Sequence, residues 1–253
     1  MTLHLIDHIV FVLLAVVFPI WDFFWLRKRA ARILAGETEL RMKLYHRTIG
    51  QEWVMAVALL GLWFALGRDA GAIGLVLQGG AWAWAGYGLA VVACALIGLQ
   101  AWSIIRSPEK GAALLAEFSS LSFLFPHTLK ERRTFDAVSV TAGICEEVIY
   151  RGFMIAYLMA LFGAPFWVAG LVSSIVFGLA HSYQGPAGIP RTAAAGGVMA
   201  LLYGLTGSLW APMVAHAVMD VAAGRLTYTA FSKIPPASRG TIPPRERALG
   251  ETG

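Results

Sequence analysis

Charge is what this sequence has least of: 14% of its 253 residues are Asp, Glu, Lys or Arg, against roughly a quarter in a soluble domain. With 58% hydrophobic residues and a mean hydropathy of +0.66, an ordinary soluble globular protein is excluded. Cysteine is also scarce. Cys94 and Cys145 stand far apart inside apolar stretches, which argues against a disulfide framework or a cysteine metal cluster and leaves the redox compartment open. No repeat of fixed period is visible, although inverted halves that have diverged strongly stay open. The first apolar stretch has no basic leader before it and no small-residue cleavage site after it. It is therefore expected to remain as a span and not to be removed as a signal peptide.

What the sequence does have is long apolar runs. Each span uses about 20 residues, so the chain has room for one compact domain of roughly seven or eight helices. The expected fold class is all-α, a polytopic transmembrane helix bundle. The runs predict spans near Leu5 to Leu26, Trp53 to Leu66, Trp82 to Ile105, Val138 to Phe162, Pro165 to His181, Thr192 to Leu205 and Leu209 to Arg225. Gly71 to Leu77 and Leu114 to Phe125 are too brief or too polar for such a span. They read as interfacial or re-entrant pieces, and an eighth span stays open. Positions 1–233 read as the bundle, with a motif-bearing core at about 138–225. Positions 234–253, rich in Pro, Gly and Arg with no apolar period, read as a disordered tail.

The net charge of +5 and pI near 9.4 have a topological explanation, so no nucleic-acid partner is inferred. Arg27, Lys28, Arg29, Arg32, Arg41, Lys43 and Arg47 crowd the first connection, and Arg106, Lys110, Lys130, Arg132 and Arg133 crowd the third. Both are expected to face the cytoplasm. The second connection holds only Arg68. Seven spans with the N-terminus outside and the C-terminal tail inside gather nearly all basic residues on one side. The bias toward Ala, Gly, Trp and Arg points weakly to a bacterial source, and hence to a multi-pass protein of a bacterial inner membrane.

Ionisable residues inside spans are expensive, at about 2.5 to 3.5 kcal/mol each near mid-bilayer, so those present need compensation or a task. Glu146, Glu147 and Arg151 lie within the run from Gly143 to Gly152. At helical spacing Glu147 and Arg151 share a face and can pair, while Glu146 is turned about 100° away and is left free for work. The next span ends on Phe177, Gly178, Leu179, Ala180 and His181, and the last carries His216 and Asp220 one turn apart. These residues can converge. A carboxylate in a water-poor pocket is suited to act as a general base on water, and imidazoles beside it can hold that water or donate to an oxyanion. Asp220 is placed to orient His216 or, if protonated, to donate itself.

Each feature alone also has a plain structural reading. A single span histidine is more often an interhelical hydrogen-bond partner, the Glu147 and Arg151 pair reads as a brace for the helix carrying Glu146, and Phe177 reads as packing that wedges the water site. The coincidence of three clusters in the second half of the chain favours function for Glu146, His181 and His216. The first three spans hold Asp7 and Asp22 near their ends and little else.

Glu-Glu-x-x-x-Arg, then Phe-x-x-x-His, then His-x-x-x-Asp, in this order on successive spans between Thr141 and Asp220, resembles the CPBP family of intramembrane proteases. This family is also called the CAAX-protease and bacteriocin-processing or abortive-infection family. The resemblance implies a glutamate-dependent intramembrane endopeptidase acting on a membrane protein or peptide. By that analogy Glu146 and His181 position the attacking water, His216 and Asp220 form the oxyanion side, and Glu147 with Arg151 gives support. Asp at position 220, where an amide is also used in the family, weakens the case for a simple amide-type oxyanion donor. The eukaryotic branch trims prenylated CAAX tails, whereas bacterial relatives mostly have undefined substrates and are associated with peptide maturation, bacteriocin self-immunity or protein anchoring, so a prenylated substrate is not predicted.

Two other readings stay open. Glu146, His181, His216 and Asp220 are all chemically competent zinc ligands, which would make a membrane zinc hydrolase. Against it, no His-Glu-x-x-His helix is present, and no cofactor is implied by the resemblance. A non-catalytic transporter or immunity scaffold is the third reading, in which the same residues form a relay. Such a relay needs polar residues along a path through both leaflets.

Overall fold

The computed structural model describes residues 1–233; the expected tail at 234–253 lies outside the described residues. Eight helices follow one another: α1 (Leu5–Leu34), α2 (Glu39–Ala65), α3 (Ala81–Arg106), α4 (Pro108–Glu117), α5 (Leu129 to Phe162), α6 (Phe166–Ala180), α7 (Gly188–Thr206) and α8 (Trp210–Ser232). The protein is an all-α membrane helix bundle. α1, α2 and α3 are each long and apolar enough to cross a bilayer. Their large apolar side chains, among them Leu5, Trp82 and Val91, are exposed, as expected of surfaces that meet lipid and not water.

The helices run further than apolar runs alone indicate. α2 begins at Glu39 and not near Trp53, and α5 begins at Leu129 and not near Val138. Both extensions are polar, so hydropathy does not register them, but local chemistry starts them. Thr128 caps α5, accepting from Glu131 N, while Glu131 Oε2 accepts from the Thr128 and His127 amides at 2.9 and 2.8 Å. Glu131 Oε1 is also paired with Arg41 of α2 at 2.9 Å, both side chains being buried, and Arg41 Nε donates to Phe123 O at 3.0 Å. The piece from Leu114 to Phe125 is thereby fixed. It holds the end of α4, only about 15 Å long at ten residues, and the turn Ser119–Leu121, so it does not form an eighth span.

α2 packs on α5, α8 lies against both α5 and α3, and α7 lies against α6 and α3. Gly71–Ile73 forms one tight turn whose Ile73 is fully buried, and Gly74 O accepts from Leu209 N at 2.8 Å. This second short piece lies in the connection between α2 and α3, which also carries Arg68. Arg68 donates to both oxygens of Asp7 at 2.7 and 2.6 Å, and His8 is hydrogen bonded to Tyr157 at 2.7 Å.

Two features of the backbone position the site. α5 widens from a regular helix into a π-helical stretch over Glu147–Met154, so the change of geometry falls between Glu146 and Glu147; such stretches recur at functional sites. Gly143, one turn earlier, lets α5 touch α8: a Cβ there would meet Ala217 N at 2.7 Å. That contact brings Glu146 beside His216.

Candidate active site

α6 spans only 15 residues, about 22 Å, against roughly 30 Å of hydrocarbon core. His181 Nδ1 is 2.8 Å from Phe177 O; a carbonyl only accepts, so Nδ1 donates and Nε2, when it carries no proton of its own, is the acceptor. That Nε2 faces Glu146 Oε1 at 3.7 Å. On the other side, His216 Nε2 lies 3.8 Å from Glu146 Oε2 and 3.6 Å from Asp220 Oδ2. The structure thus brings Glu146, His181, His216 and Asp220 together. The gaps around Glu146 are too long for direct hydrogen bonds and leave its oxygens available to a third group.

Glu147 and Arg151 are fully buried and paired at 3.2 Å. Arg151 sits over the ring of Phe177, its Cζ 4.4 Å from the centroid, and Gly196 makes room for it, since a Cβ at that position would meet Arg151 Nη2 at 2.9 Å. Phe177 also touches His181 and His216 edge-on or tilted, with centroids 4.5 and 6.0 Å away. One ring is therefore in contact with the cation and with both imidazoles.

One expectation needs revision. Asp220 is one turn from His216 as foreseen, but the hydrogen bond that orients the imidazole runs to Glu147, whose Oε1 is 2.8 Å from His216 Nδ1. Glu147 is thus shared between Arg151 and His216, and Asp220 faces the other ring nitrogen.

A second expectation is corrected outright: the first three spans contain more than Asp7 and Asp22. Glu52, on α2, lines the same cavity of about 400 Å³ as Glu146, His181, His216 and Asp220. Placing the start of the second span at Trp53 put Glu52 one residue outside it. The signal was available in the spacing of Thr48, Glu52, Met55 and Leu59, which share one helical face. The cavity continues past Tyr183, Gln184 and Leu121 toward the basic end of the bundle. Asp22, paired with Arg47 at 2.8 Å and with Gln51 at 2.7 Å, also lines it.

Among the described residues, no group of three or more His, Cys, Asp or Glu side chains is arranged to hold a metal ion. The chemistry that these groups offer is proton transfer and hydrogen bonding to a water and a polarised carbonyl.

Residues 133–222 match the family model of the type II CAAX prenyl endopeptidases, Rce1-like. The matched segment contains Glu146, Glu147, Arg151, Phe177, His181, His216 and Asp220 and leaves Glu52 outside. Comparisons with curated proteins and with solved structures gave no match. The match covers about a third of the chain and, at the level of the family, supports a CAAX-type intramembrane endopeptidase acting on membrane-associated proteins or peptides.

Proposed function

We propose that the protein hydrolyses a peptide bond of a membrane-associated protein or peptide with a water activated by Glu146. The observation that carries this reading is that the two oxygens of Glu146 face two imidazole Nε2 atoms, of His181 at 3.7 Å and of His216 at 3.8 Å. A water between Glu146 and His181 gives one proton to the carboxylate and directs the other at the His181 acceptor. Its oxygen is left aimed at the substrate carbonyl. His216 and Asp220 lie on the opposite side of Glu146 and receive the developing oxyanion through whichever of them carries a proton. Glu147, Arg151 and Phe177 hold His216 and the helix of Glu146 in place. Zinc enters no step of this scheme.

Comparative membrane proteomics of cells with wild-type protein or the Glu146→Ala variant tests the reading. The expected result is one or more membrane substrates that accumulate unprocessed in the variant, at equal levels of folded protein. Processing falls by about 100-fold or more, the usual contribution of a general base. Full processing by a folded Glu146→Ala variant overturns it.

A further inference from the structure

Resting on the reading of Glu146 as the base, we propose that Glu52 is a second catalytic carboxyl, the acid that protonates the leaving amine. Three observations meet at this residue. Its side chain lines the cavity that holds Glu146, His181, His216 and Asp220. Its Oε2 is buried with no hydrogen-bond partner. No ion pair to it exists among the described residues, whereas Glu147 has Arg151, and Glu146 and Asp220 have imidazoles within 4 Å.

The location of Glu52 is held from both sides. Its neighbour Trp53 donates from Nε1 to Thr141 Oγ1 of α5 at 3.2 Å, five positions ahead of Glu146. On its own helix, Gln51 and Arg47 are committed to Asp22 of α1. The groups that act on it electrostatically are Glu146, Cys145 and Tyr150 from α5, His216 and Asp220 from α8, Asp22 from α1 and Tyr183 from the connection after α6.

Among these, Glu52 is the carboxyl with the least to offset a negative charge. Of the carboxyls of Glu52, Glu146, Glu147 and Asp220, only that of Glu147 is paired with a guanidinium among the described residues. An uncompensated charge in such surroundings is expensive, and neighbouring carboxylates do not all ionise together. Glu52 is then the carboxyl suited to hold a proton, and Glu146, with two imidazoles within 4 Å, the one suited to take a proton from water.

The proton balance closes. Water oxygen bonds to the carbonyl carbon as its proton passes to Glu146, and the carbonyl π pair moves to oxygen. When the C–N bond breaks, the nitrogen takes the proton of Glu52, and the products are a carboxylic acid and an amine. Glu146 then returns its proton to Glu52, which restores the starting state without any further reactant.

The test uses the purified full-length protein and cells expressing the same variants. Infrared spectra at neutral pH are recorded for wild type, Glu52→Gln and Glu146→Gln in the carbonyl-stretch region of protonated carboxylic acids. The expected result is a component present in wild type and Glu146→Gln and missing from Glu52→Gln. In pulse-chase processing of the proteins that accumulate in Glu146→Ala cells, Glu52→Gln is expected to be slower by about 100-fold, and Glu52→Asp to recover part of the rate. If no component of the wild-type spectrum is lost in Glu52→Gln, or if a folded Glu52→Gln variant processes at the wild-type rate, the proposal is overturned. If Glu146→Gln blocks processing in that experiment, only the role of Glu52 falls; if Glu146→Gln processes normally, the underlying reading falls with it.

Discussion

Glu147 accepts a hydrogen bond from His216 Nδ1 at 2.8 Å. The same oxygen lies 3.2 Å from Arg151, so the brace within α5 and the imidazole on α8 form one buried chain. Ionised Glu147 only accepts, hence Nδ1 of His216 carries the proton and Nε2 is the atom turned toward Glu146 and Asp220.

Stability and activity should separate along this chain. Arg151→Ala leaves Glu147 as a buried charge with only an imidazole for company and is expected to cost about 3 to 5 kcal/mol. The double variant Glu147→Leu with Arg151→Met removes both charges at similar volume. It is expected to regain most of the lost stability while staying inactive, because His216 has lost its acceptor. Thermal melting of the detergent-solubilised variants and a processing assay check the two halves, and recovery of activity in the double variant would contradict the role given to Glu147.

The close approach of α5 and α8 is equally open to test. At Gly143 an added methyl meets the backbone of Ala217, whereas at Gly88 on α3 it meets nothing within 4 Å. Gly143→Ala is expected to destabilise the bundle by about 1 to 3 kcal/mol, as overpacking does, and to reduce processing by separating Glu146 from His216. Gly88→Ala is expected to be neutral or slightly stabilising. Equal melting temperatures for the two variants would show that this helix contact is not tight.

Chelation separates water activation by a carboxylate from a zinc mechanism. The side chains around Glu146 are not arranged as a metal site among the described residues, so purified protein is expected to keep its activity after exhaustive treatment with a chelator. Loss of activity that zinc restores would replace the proposed mechanism with Lewis-acid chemistry.

The sequence was informative wherever the physics is local. Poor charge and long apolar runs dictate the membrane, since unsatisfied backbone and bare charges are not tolerated in lipid. The Glu147 and Arg151 pair follows from i, i+4 spacing, and the order of Glu146, His181 and His216 on successive helices was sufficient to suggest that they meet. Apolar runs mark the spans near Trp53 and Val138 but leave out the helix starts at Glu39 and Leu129, because polar first turns carry no hydropathy signal, although the Thr128 and Glu131 cap is visible in the residues themselves.

Only the tertiary structure decided which partner each of those groups takes. His216 and Glu147 are 69 positions apart, and their hydrogen bond depends on how closely α8 settles on Gly143. Glu52 joins the cavity from a helix that carries none of the three motifs. Helical periodicity states which residues share a face, but the distance and rotation between faces arise from side chains interlocking across helices, and those contacts are set by the whole packed bundle.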